Sequence, residues 1–128
     1  KEYNLENDVI LLGQIENPYP FFKNAKLFVH TAKYEGLPTV LLESLAFGMP
    51  VVAYDCPTGP KDILGGNSEY GELIPLNDKD MFVEKVYELI NNNEKYENYK
   101  KISLIRADDF SMESNKAKLK ELIENTNF

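Results

Sequence analysis

The sequence predicts an α/β domain in which a parallel sheet is flanked by helices. Three short apolar runs, at residues 8–14, 27–32 and 50–55, have the length and the β-branched or leucine content of buried strands. Helix-like segments separate them, so the order is strand, helix, strand, helix, strand. This order is typical of parallel sheets covered on both faces, and such sheets bind ligands beyond the carboxyl ends of their strands.

The composition of the chain limits the functional classes to which the protein can belong. The chain has 128 residues, 43% of them hydrophobic and 27% charged, which allows one domain with a sizeable core. Its formal charge of -7 argues against general binding to nucleic acid or anionic membranes, which are themselves negative. One cysteine and one histidine exclude an internal disulfide and a structural zinc cluster. No apolar run approaches the roughly 20 residues of a membrane span, so we expect a cytoplasmic protein.

The first half of the chain supplies the two helices between these strands. The segment 17–26, "NPYPFFKNAK", predicts a helix of one or two turns that packs Phe21 or Phe22 inward. Residues 36–48, "GLPTVLLESLAFG", predict a buried helix. Pro38 suits the first turn of that helix, where its missing N–H needs no partner, and Gly48 suits its end.

The second half adds one strand and three helices. Residues 56–71 predict a loop rich in Gly and Pro, and "GELIP" (71–75) predicts a fourth strand. An amphipathic helix follows, with Asn77 as the expected N-cap. Its apolar stripe is predicted to contain Phe82, Val86, Leu89 and Ile90. Two further helices follow, and Ser111 is the expected cap of the second.

The helix at residues 36–48 carries the features that indicate a binding site. A strand that leads through a tight turn at Gly36 into a helix leaves unpaired backbone N–H groups, which favour an anion such as a phosphate. Thr39 and Glu43 lie one turn, about 5.4 Å, apart on one face. A nucleotide diphosphate could place its phosphates at the Thr39 and Val40 amides and its ribose diol at Glu43. Glu35 would then lie beyond the phosphates, near a sugar.

Both carboxylates also have a simpler interpretation. Glu35 could complement the helix dipole, and Glu43 could emerge at the surface. The surrounding pattern of strand, tight turn, Gly-Pro and buried helix favours the functional interpretation. His30, at the end of the second strand, is expected to be a packed, hydrogen-bonded histidine, and Cys56 a small loop residue.

The stretch "YEGLPTVLLESLAFGMPVVAYD" (34–55) resembles the signature of the group 1 (family 4) glycosyltransferases, which have the GT-B architecture and transfer sugar from a nucleotide donor with retention. The later segments "GPKDIL", "YGELIPLND" and "RADDFSMES" are similar to family segments too, with Met112 where tryptophan is commoner. The resemblance implies a Rossmann-like fold, as the later part of a C-terminal donor-binding domain.

The resemblance also implies roles for individual residues. Glu43 would bind the ribose hydroxyls. Glu35, as the catalytic residue, would hold the transferred sugar with the amides after Gly36. Donor binding would also use Gly13, near the base, and the amides of Leu37, Thr39 and Val40. Lys61 and Asp62 could border the sugar pocket, or form an exposed turn with a salt bridge.

We therefore expect residues 1–128 to be one partial donor-binding domain without the N-terminal acceptor domain. The basic pair that neutralises the diphosphate in the family precedes the strands seen here, so the chain alone should be inactive. The expected partners are a UDP- or GDP-sugar donor, which is a substrate and not a cofactor, and a glycan or lipid-linked acceptor. We expect no metal ion in the site. We also expect a role in polysaccharide biosynthesis, which is compatible with peripheral contact between the full-length protein and the inner face of the membrane.

Two other classes fit the same fold. A non-catalytic phosphate-binding or receiver-like module has the same strand order, although Asp55 lacks the acidic pair of a receiver. A GT-B epimerase or phosphorylase shares the architecture, and the motifs separate it poorly from a transferase.

Overall fold

A computed structural model describes residues 3–126. Within this range the helices and strands are α1 (Tyr19–Asn24), β1 (Phe28–His30), α2 (Thr39–Ala46), β2 (Val51–Asp55), α3 (Pro60–Leu64), β3 (Glu72–Pro75), α4 (Lys79–Asn91), α5 (Asn93–Asp109) and α6 (Met112–Asn125). No helix of this range is long and apolar enough to cross a membrane.

The three strands form one parallel sheet in the order β1-β2-β3. In its register His30 lies opposite Ala53, and Asp55 lies opposite Pro75. All three carboxyl ends therefore meet at one edge of the sheet, as the sequence predicted. The α/β class with a parallel sheet flanked by helices is confirmed.

The core lies on both faces of β2, because alternate side chains of a strand point to opposite faces. Val51 and Ala53 are fully buried with α2 and α3. Val52 and Tyr54 are buried with α4 and α5. The strand's unbroken apolar run, "VVAY" at residues 51–54, reflects this burial on two faces.

Helix α2 ends where the sequence indicates, but it begins one residue later than expected. Pro38, expected in the first turn, takes an extended conformation as the N-cap, and the helix begins at Thr39. Gly48 follows the helix with a φ of 64°, a conformation that favours glycine. Leu41 and Leu45 are fully buried against the sheet, and α2 also packs against α5.

The predicted strand at residues 8–14 is wrong. This segment has neither helix nor strand, and four of its apolar side chains are at least half exposed. They are Val9, Ile10, Leu11 and Leu12. A strand needs a neighbour for its N–H and C=O groups, and within residues 3–126 β1 pairs only with β2. Composition identified a strand-like segment, but it could not supply the partner.

Three smaller expectations also change. Asp78, not Asn77, caps α4, with its carboxylate accepting a hydrogen bond from the Met81 amide at 3.0 Å. The loop at residues 56–71 contains the five-residue helix α3. Ile90, placed in the buried stripe of α4, is 40% exposed.

Two other expectations are confirmed. Phe22 is the buried phenylalanine of α1. Ser111 caps α6 by accepting a hydrogen bond from the Ser114 amide.

Candidate functional site

The carboxyl end of β1 brings His30 and Glu35 together. His30 is the last residue of the strand, and its Nε2 atom lies 3.1 Å from Oε1 of Glu35. The two side chains are 11% and 30% exposed. Glu35 is therefore a partly sheltered carboxylate fixed at the edge of the sheet, not a free surface charge. The expected packed, hydrogen-bonded histidine is confirmed, but its partner was not foreseen.

A second loop holds the turn that contains Glu35. The hydroxyl of Thr58 donates a hydrogen bond to the carbonyl oxygen of Glu35. The next residue, Gly59, has a φ of 95°, and a Cβ added there would lie 2.5 Å from the carbonyl oxygen of Gly36 and closer still to Cδ of Pro38. The loop after β2 therefore packs directly on the turn between β1 and α2, and only glycine allows this approach.

The start of α2 presents open backbone donors. No side chain caps the helix, and the first amide to find a partner is that of Leu41, which donates to the carbonyl oxygen of Pro38 at 3.0 Å. Several amides before it have no hydrogen-bond partner among residues 3–126. These include the amides of Gly36, Leu37, Thr39 and Val40. Such a helix start attracts an anion, because free N–H groups and the helix dipole act together.

Glu43 lies one turn after Thr39 on the same side of α2. It is half-buried, and in the described part of the chain its carboxylate has neither a hydrogen bond nor an ion pair. Its neighbour Ser44 is fully buried and donates to the carbonyl oxygen of Val40 at 2.7 Å. The helix thus satisfies its buried hydroxyl internally while Glu43 keeps its acceptor oxygens available.

The remaining predicted residues lie at the borders. Lys61 and Asp62 are exposed at the start of α3, and neither side chain is in an ion pair within residues 3–126. Gly13 is exposed in the irregular segment, with no atom within 4 Å of an added Cβ. The structure brings Glu35, Gly36, Thr39 and Val40 together around one turn, but no contact joins Gly13 to it.

Arg106 was missed by sequence reasoning. Its Nε atom donates to the carbonyl oxygen of Ile63 at 2.8 Å, and its Nη2 atom to that of Asp62 at 2.6 Å. The guanidinium centre lies 4.6 Å from the Tyr70 ring centroid and 4.8 Å from that of Phe110. An arginine on α5 thereby holds the carboxyl end of α3. A lone basic residue in "RADDF" gave no signal of this contact 43 residues away.

A second polar cluster lies at the opposite end of the sheet. Glu72, the first residue of β3, is buried, and Oε1 of its carboxylate lies 2.5 Å from Nζ of Lys95. The hydroxyl of Tyr99 lies 3.0 Å from the carbonyl oxygen of Ser68 and 3.3 Å from Glu72 Oε1. Burial, and the negative charge of Glu72 after it, raise the pKa of Tyr99. Glu72 begins β3 and lies opposite Val52, so the cluster is at the amino ends of the strands, away from the candidate site. We interpret it as a stabilising cluster.

The chain also matches a known protein family over most of its length. The family model described as "Glycosyl transferases group 1" matches residues 1–104. The chain belongs to the group 1 glycosyltransferases.

Individual glycosyltransferases are similar to this chain over part of its length. An uncharacterized glycosyltransferase of Methanocaldococcus jannaschii is 46% identical over 61 residues, which is 48% of this chain and 15% of that protein. A Campylobacter jejuni diphospho-undecaprenol 4-alpha-N-acetylgalactosaminyltransferase is 31% identical over 110 residues, 86% of this chain and 30% of that one. The chain thus spans less than a third of the length of these relatives.

A solved structure of similar sequence has the same fold. It is a mutant of the Staphylococcus aureus protein TarM in complex with Fondaparinux, alpha-GlcNAc-glycerol and UDP, and it superposes with a TM-score of 0.82. The two sequences are 28% identical over 98% of this chain and 25% of the TarM chain. The match confirms the expected C-terminal, Rossmann-like fold.

Proposed function

We propose that this chain is the donor-binding domain of a retaining glycosyltransferase that uses a nucleotide-diphosphate sugar. The observation that carries the proposal is the start of α2, where unpartnered amides lie between a sheltered carboxylate, Glu35, and an unpaired one, Glu43. An anion site between two hydroxyl-binding groups matches a diphosphate that links a ribose to a sugar.

Each part of the donor then has a residue. The diphosphate meets the amides of Thr39 and Val40 and the Thr39 hydroxyl, and the ribose diol meets Glu43. The sugar meets Glu35 and the amides of Gly36 and Leu37, while Gly13 lies near the base. A UDP- or GDP-sugar fits these roles, and UDP is bound in the TarM mutant of similar fold. Lys61 and Asp62, exposed beside the loop that packs on the Glu35 turn, border the sugar.

We infer that the reaction proceeds with retention and without a required divalent ion. The bond from the sugar C1 to the diphosphate oxygen breaks, and the acceptor oxygen bonds to C1 on the same face. Its proton passes to the leaving phosphate. The growing negative charge on the diphosphate is stabilised by the amides at the start of α2 and by basic groups contributed from outside residues 1–128.

We further infer that these 128 residues act as part of a longer enzyme. The relatives are more than three times the matched length, and the acceptor is expected on a second domain. A glycan or lipid-linked acceptor agrees with the name of the Campylobacter relative, which includes a diphospho-undecaprenol carrier. The chain alone should bind donor weakly and transfer no sugar.

The test is nucleotide titration followed by a transfer assay. Isothermal titration with UDP, GDP and ADP should identify one preferred nucleotide. The titration uses the intact protein, meaning the full-length enzyme that contains these 128 residues. Its sugar conjugates, incubated with lipid-linked and soluble glycan acceptors, should give a product with the donor's anomeric configuration by NMR. Absence of binding to all three nucleotides contradicts the proposal and favours a non-catalytic module, whereas an epimerised donor indicates the related isomerase activity.

A further inference from the structure

We propose that His30 is a positioning residue that orients the Glu35 carboxylate toward the transferred sugar. This inference rests on the proposed function, because it assigns a task to the same site. It assigns a role to a side chain outside the helix that carries most of the donor contacts.

The imidazole is held in a fixed place. His30 is in register with Ala53 of the central strand, so its backbone is part of the sheet. Its ring stacks on Phe28, with centroids 6.4 Å apart and an interplanar angle of 25°. Because the backbone and the ring of His30 are both held in place, His30 can determine where the longer Glu35 side chain points. We do not expect Glu35 to orient His30.

The contact also determines where the imidazole proton lies. An ionised carboxylate can only accept hydrogen bonds, so Nε2 must be the donor at 3.1 Å from Oε1. The other ring nitrogen, Nδ1, is buried without a partner in the described residues. Because a buried N–H without an acceptor is rarer than an unsatisfied acceptor, the neutral tautomer with its proton on Nε2 fits best.

The two oxygens of Glu35 then have separate tasks. Oε1 is engaged by His30, and Thr58 holds the backbone carbonyl of the same residue. This leaves Oε2 to accept a hydrogen bond from a sugar hydroxyl. Loss of His30 should therefore disorder the carboxylate that faces the sugar, while the phosphate and ribose contacts on α2 persist.

Kinetics of the intact protein test this role. His30→Leu should lower kcat by about 10-fold or more through misplacement of Glu35, with the KM for donor changed by less than about threefold. His30→Gln should recover much of the rate, since its amide can donate from nearly the same position as Nε2. Val29→Thr is the matched control, because Val29 is exposed on the same strand, and it should keep the wild-type rate.

Nitrogen NMR provides a readout that does not depend on turnover. His30 is the chain's one histidine, and loss of its signal in His30→Gln assigns it in the intact protein. The wild-type spectrum should show the Nε2-protonated tautomer, and Glu35→Ala should convert it to a mixture.

These experiments distinguish failure of the role of His30 from failure of the proposed glycosyltransferase function. A wild-type rate in His30→Leu, equal losses in His30→Leu and His30→Gln, or an unchanged tautomer in Glu35→Ala would overturn the role of His30. If the full-length wild-type enzyme, which contains these 128 residues, transfers no sugar from any donor, the proposed function fails and the role of His30 fails with it. In that case a tautomer change shows only that the contact itself is real.

Discussion

Gly59 lies against Gly36 across two loops, so closely that a Cβ on Gly59 would lie 2.5 Å from the Gly36 carbonyl oxygen. Its φ of 95° is also unfavourable for any residue with a side chain. The contact joins the loop after β2 to the turn between β1 and α2. Both loops leave the carboxyl edge of the sheet, so the backbone amides at the start of α2 are held in place from outside the helix.

Gly59→Ala should destabilise the protein and weaken donor binding together. The strained backbone costs about 1–2 kcal/mol, and the overlap with Gly36 adds to it, so we expect the free energy of unfolding to fall by about 2 kcal/mol or more. Urea denaturation measures this change. Gly66→Ala is the matched control, because an added Cβ there meets only the flexible end of Lys61 at 3.2 Å. Equal stability of the two variants would contradict the packing role of Gly59.

Even a conservative substitution of Arg106 should destabilise the folded protein. A lysine cannot reproduce the planar fork that reaches two carbonyl oxygens, nor the stacking between Tyr70 and Phe110. Arg106→Lys is therefore expected to lower the free energy of unfolding by about 1–2 kcal/mol. The control is Lys101→Ala on the same helix, an exposed site where we expect a change within about 0.5 kcal/mol. If the two substitutions have equal effects, the carbonyl contacts of Arg106 contribute nothing measurable.

The buried hydroxyl of Tyr99 predicts a pH dependence of stability. Its pKa is raised above the ordinary 10.0 in the folded protein, so the unfolded chain loses this proton first as pH rises. The stability that the neutral hydroxyl contributes is present below pH 10 and is lost progressively above it. Urea denaturation of the wild type between about pH 8 and pH 11 should show the free energy of unfolding falling at the alkaline end.

Tyr99→Phe isolates this contribution. The variant removes the hydroxyl that donates to the Ser68 carbonyl oxygen or to Glu72 Oε1. Lys95 still pairs with Glu72, so the loss of this one buried donor should cost about 1–3 kcal/mol at neutral pH. The difference between wild type and variant should shrink above pH 10. Tyr87→Phe, at a position 71% exposed, should leave the curve unchanged. A difference that stays constant up to pH 11 would show that Tyr99 ionises equally well in both states.

Local sequence patterns predicted the parts of the fold that local forces determine. Pro38 and Gly48 delimit α2 through backbone preferences of their own, and the apolar run at residues 51–55 forms the central strand. The run at residues 8–14 has a similar composition but forms no strand, since within residues 3–126 no neighbour pairs with it. Strand formation depends on a partner, and single-run composition does not contain that information.

The candidate site, like the fold, could be predicted only in part from the sequence. The spacing of Thr39 and Glu43 on a helix, and the turn at Gly36, follow from adjacent residues. The contact of His30 with Glu35 depends on how the turn after β1 folds back on the strand end, and the contact of Thr58 with the Glu35 carbonyl depends on how two loops meet. Residues 23 positions apart have no shared periodicity, so only the packed sheet reveals them. Both contacts support the carboxylate that the sequence had identified.

Glu43 and Glu35 should differ in the kinetic parameter they affect. Glu43→Gln keeps the shape but replaces an acceptor oxygen with a donor, so it should weaken donor binding about 10-fold, measured by isothermal titration. Glu35→Ala should lower kcat by about 100-fold while donor affinity and melting temperature change little, because its contact is with the reacting sugar. Glu84→Gln, an exposed carboxylate on α4, is the control for loss of one negative charge. If donor affinity and kcat are unchanged in both site variants, neither carboxylate binds the donor, and the unpartnered amides of α2 must serve a different anion.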